Sequence, residues 1–84
     1  MLTDIELEVM KNSSVLCFKK LCHRIVDVID FKVMERENGE FSCVLEGIVG
    51  SARKRKVYSY DLTPSHKKEG RMLVSNIKIT EVQI

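Results

Sequence analysis

The chain has 84 residues, 44% of them hydrophobic and 31% charged, with a formal net charge of +2. That length allows one core and buries only about 60% of the unfolded surface; the apolar content excludes a disordered polymer, and no apolar run approaches the roughly 20 residues of a membrane-crossing helix. The start, Met1 to Glu6, carries acids where a secretory leader carries cations and a long apolar stretch, and the cysteines number three, odd for a disulfide scaffold, so a cytoplasmic protein with reduced thiols is expected.

Thr3, Ile5, Leu7 and Val9 alternate with Asp4, Glu6 and Glu8, the period of a half-buried strand. Thr3-Asp4-Ile5-Glu6 also fits a capping box, so residues 3–10 read as strand or as helix. Asn12-Ser13-Ser14 breaks the pattern and offers N-cap side chains. Val15, Phe18, Cys22, Ile25 and Ile29 then recur every three or four residues, with Lys20, His23, Arg24 and Asp27 as an opposite stripe. That spacing predicts an amphipathic helix over about 14–28. On such a helix Cys17 and Cys22 point about 140° apart, which argues against a disulfide between them.

Ile29, Phe31 and Val33 alternate with Asp30 and Lys32, and Phe41, Cys43 and Leu45 alternate beyond Asn38-Gly39. Asn-Gly between two alternating apolar runs predicts a hairpin, because both residues tolerate positive φ. Gly47 and Gly50 mark a bulge or a tight bend. Lys56 to Leu62 reads as a strand with Tyr58, Tyr60 and Leu62 on one face. Thr63 to Gly70 holds the one proline and no apolar residue, and reads as a surface loop. Met72 to Ile84 is a last strand in which Leu73, Ile77 and Ile79 alternate with Val74, Asn76 and Lys78. Val82 and Ile84 fall out of phase there, so a bulge or a frayed end is expected.

Short connections make consecutive strands antiparallel neighbours. The expected fold is α+β, a single two-layer domain over residues 1–84. One helix covers an antiparallel sheet of four to five strands, and a sheet curled toward a small barrel is the nearest variant.

Catalysis needs a nucleophile, a base in reach and an orienting partner. His23 adjoins Cys22, but helix neighbours do not face each other. His66 has no thiol or acid pattern beside it, and no carboxylate pair is marked by spacing. The expectation is a protein that is not an enzyme. Cys17, Cys22, His23, Cys43 and His66 lack the close pairing of a structural zinc site, so no metal or other cofactor is expected. Gly47-x-x-Gly50-Ser51 is no phosphate loop, since a strand rather than a helix follows.

The remaining signal is charge. Residues 1–50 contain six Lys/Arg and nine Asp/Glu, whereas residues 51–71 contain seven and two. Arg53, Lys54, Arg55 and Lys56 form the densest run, ahead of Tyr58 and Tyr60 at the alternation of a base-stacking platform. Lys67, Lys68 and Arg71 follow one strand later. These residues, with Tyr58, are the candidate nucleic-acid-binding set, presented by a basic inter-strand loop. Tyr58 and Tyr60 also fit ordinary core positions, and a basic run also protects a sheet edge. The alternative is a protein-interaction module or homodimeric accessory protein, of a phage or plasmid kind, because the helix carries more apolar surface than one sheet face needs and the last strand offers an edge. No membrane partner is expected.

Overall fold

Helix α1 spans Asp4–Lys20 in the computed structural model of the chain, which describes residues 2–65, 67 and 72–82. The capping box decides its start. Thr3 Oγ1 accepts the Glu6 N–H at 3.2 Å, and the Glu6 carboxylate accepts the Thr3 N–H at 3.3 Å, so two otherwise orphaned donors are satisfied at once. Ser14 does not cap a helix. It lies within one, buried, and its hydroxyl donates to the Met10 carbonyl at 2.9 Å.

The helix stops where no glycine or proline announces it. Cys22 takes a left-handed φ of 68°, the His23 N–H reaches the Phe18 carbonyl at 2.8 Å, and the Cys22 N–H reaches that of Lys19 at 3.1 Å. This is a Schellman closure with cysteine where glycine is usual. The helix expected over 14–28 therefore lies over 4–20, and Ile25 and Ile29 belong to the first strand.

Strands β1 (Ile25–Glu35), β2 (Phe41–Val49), β3 (Lys54–Pro64) and β4 (Met72–Glu81) form one antiparallel sheet in the order β1-β2-β3-β4. The fold is α+β, with one helix on a four-stranded sheet that stays open rather than closing into a barrel. Asn38 and Gly39, at φ 61° and 72°, carry the β1–β2 turn. Gly47 lies opposite Val28, where β1 bulges. A side chain there would stand 2.9 Å from the Asp27 carbonyl oxygen and 3.0 Å from Ile25 Cγ2, so only glycine lets the two strands meet.

The covered face of the sheet carries Cys43, Leu45 and Val49 of β2 and Tyr58, Tyr60 and Leu62 of β3, all buried. Phe18 drops onto it from α1. Its ring centroid lies 4.6 Å from that of Tyr58 and 5.0 Å from that of Tyr60, the second nearly edge-on at 84°. Such offset and edge contacts are the favoured aromatic geometries. The last strand is irregular in its middle and not at Val82, whose N–H still reaches the Arg55 carbonyl at 2.9 Å. Asn76 has φ 53°, and the pairing slips between Ser59 and Asp61. Val74 opposite Leu62 and Ile79 opposite Tyr58 thus share the covered face, although sequence parity assigns them to opposite ones. Ile84 lies outside the described residues.

Candidate nucleic-acid interface

The basic run is only partly a loop. Gly50 to Arg53 forms the β2–β3 turn, closed by the Arg53 N–H on the Gly50 carbonyl at 3.2 Å, and β3 already begins at Lys54. Strand alternation then divides the cations. Lys54 and Lys56, opposite Val49 and Gly47, lie on the helix side, whereas Arg55, opposite Ile48, lies on the open face. Arg53 sits in the turn with φ 52°, a conformation that costs a residue with a side chain about 1–2 kcal/mol.

Two of these cations are already paired. Arg55 meets the Glu46 carboxylate at 2.8 Å and Lys54 meets Glu81 at 3.4 Å. The hydrogen bond to Glu46, and then its charge, raise the Arg55 pKa above its ordinary value. Arg53 and Lys56 have no ion-pair partner among the described residues.

The fold adds cations that the sequence pattern did not assemble. The Gly50 N–H donates to the Arg24 carbonyl at 2.8 Å, so the start of β1 is fastened to the β2–β3 turn and Arg24 stands beside the basic run. Lys19 and Lys20 close α1 just before it, where lysines also complement the helix dipole. Nothing in the spacing of residues 24 and 50 signals this meeting. The dipole-favoured lysines at the helix end were the one available hint.

Tyr58 is a correction. It is fully buried under Phe18, so its ring has no face for a base. Its hydroxyl lies 3.4 Å from His23 Nδ1, and the two rings meet edge-on, which places His23 half inside rather than on a solvated stripe. Burial raises the Tyr58 phenol pKa. Tyr60 is core as well, its phenol raised mainly by burial. Lys67 lies past the far end of β3, whose ten intervals span roughly 33 Å, so it does not share a surface with Arg53 to Lys56. Lys68 and Arg71 lie outside the described residues.

No nucleophile–base pair forms among the described residues. Cys17, Cys22 and Cys43 are free thiols. Burial, with the Asp61 charge second, pushes the Cys43 thiol up to about 11, the opposite of an activated cysteine. No three His, Cys, Asp or Glu side chains among the described residues converge as metal ligands. No helix among them is long and apolar enough to cross a membrane. Compared with protein-family models, curated proteins and solved structures, the chain matches none.

Proposed function

We propose that the protein is a small non-enzymatic nucleic-acid-binding domain that grips phosphates with one end of its sheet. The observation that carries this reading is the bond between the Gly50 N–H and the Arg24 carbonyl, which brings the Arg24 backbone to the turn that leads into Arg53, Lys54, Arg55 and Lys56. Arg24, Arg53 and Lys56, which have no ion-pair partner among the described residues, offer charge that Glu46 and Glu81 do not neutralise. With Tyr58 and Tyr60 in the core, such a grip reads backbone charge rather than base identity. Its affinity falls steeply with salt and depends little on sequence. A cytoplasmic setting suits three unpaired thiols, Cys22 among them exposed.

Fluorescence anisotropy with labelled single- and double-stranded oligonucleotides tests this. Binding at low salt is expected, with an affinity that declines linearly in log salt. Arg24→Ala with Arg53→Gly removes two phosphate contacts and flattens that slope by about two. Absence of binding at low salt, or a double variant indistinguishable from the parent, overturns the reading.

A further inference from the structure

We infer that the protein pairs with a second copy of itself through α1, the two helices lying antiparallel with Val9 and Leu16 at the contact. The starting observation is a shortage of cover. Four strands place the axes of β1 and β4 about 14 Å apart, and one helix is about 10 Å wide. A cavity of about 510 Å³ remains between α1 and the β3–β4 side of the sheet, walled by Val9, Met10 and Leu16 of the helix and by Leu62, Met72 and Val74 of the sheet. Its rim continues over the back of α1, where Ile5, Val9 and Leu16 are 78%, 58% and 60% exposed. These three lie within about 40° of one another around the helix, so they form a stripe distinct from the Ser14–Phe18 side that meets the sheet.

The charges of α1 select the occupant. Asp4 and Glu6 occupy its first turn, and Lys19 and Lys20 its last. A second copy laid parallel sets like charge against like. Laid antiparallel, Val9 faces the second copy's Leu16, and the stem of the second copy's Lys20 covers Ile5. Glu6 then faces the second copy's Lys20 on one flank, and Glu8 the second copy's Lys19 on the other. The helix dipoles oppose as well. Ser13 at the midpoint is small enough for the axes to approach to the usual 8–10 Å. The contact is self-complementary, as a two-fold interface requires.

Size-exclusion chromatography with light scattering over a range of protein concentrations tests this. The parent chain is expected at twice its 9.7 kDa mass. Leu16→Glu is expected to be a monomer. Lys20→Glu sets carboxylates against Glu6 at both symmetric contacts and weakens dimerisation by at least about tenfold. Adding Glu6→Lys to Lys20→Glu restores the dimer, although it removes the helix cap, and a mere folding defect cannot do that. A parent chain that stays monomeric at every concentration, whatever else covers the cavity, overturns the inference. So does a dimer that survives Leu16→Glu, or a charge reversal that the second substitution fails to rescue.

Discussion

The Tyr60 hydroxyl donates to Ser14 Oγ at 2.6 Å, and the Ser14 hydroxyl donates in turn to the Met10 carbonyl at 2.9 Å. This relay is a polar link between sheet and helix inside a largely apolar contact. Tyr60→Phe removes the donor and leaves the buried Ser14 oxygen short of a partner, a loss of about 1–2 kcal/mol. Ser14→Ala strands the phenol instead, at a similar cost. Removing both is expected to cost less than the sum, because no unpaired group remains. Urea unfolding of the three variants measures the coupling.

Phe18→Ala takes away a ring that touches both core tyrosines. A loss of about 3–5 kcal/mol is expected, a large part of the stability of a chain this short. Calorimetry or far-ultraviolet dichroism on heating reads it, and an effect under 1 kcal/mol would show that the helix is not seated as described.

Gly47→Ala is expected to destabilise by about 1–3 kcal/mol, since the added methyl meets the Asp27 carbonyl oxygen at 2.9 Å and overpacking of this kind carries that cost. Near-parent stability on urea unfolding would mean that the β1 bulge yields freely.

Arg53→Gly separates stability from binding. At φ 52° the arginine carries a backbone cost that glycine does not. The variant is expected to be as stable as the parent or up to about 1 kcal/mol more so. Oligonucleotide binding is expected to weaken in the same protein. Loss of both together would make the residue structural.

Alkaline pH should weaken the fold. The Cys43 thiol is raised from an ordinary value of 9.0 to about 11, and burial raises Tyr60 too. The folded state keeps protons that the unfolded chain releases, so stability is fully present below pH 9.0 and declines as pH rises toward 11. Cys43 alone contributes about 3 kcal/mol to that decline. Urea midpoints from neutral to alkaline pH measure it, and Cys43→Ala should flatten the part between those two values.

The backbone is legible in the sequence where a short local motif decides it. Asn38-Gly39 placed the first hairpin, and the Thr3–Glu6 box contained the true start of α1. The backbone is not legible where two periods compete. Ile5 and Val9 are exposed, so their alternation with acids imitated a strand face that no core required. Ile25 and Ile29 extended the helical spacing of Val15 and Phe18, and the actual stop rests on Cys22 in a conformation its side chain gives no sign of preferring. Likewise the basic run was visible as a string of letters. Its junction with Arg24, and the burial of Tyr58, depend on contacts between residues far apart in the chain.

Each strand pairs only with its neighbours along the chain, and this bears on how the molecule assembles. No long loop has to close before an adjacent hairpin gains its ladder, so the entropy of closure is met in small instalments. The middle hairpin, β2 with β3, holds most of the buried side chains and is the natural nucleus. Helix α1 precedes that hairpin in the chain yet has little to rest on until it exists. An element that precedes the whole sheet in the chain is thus the last to find its place.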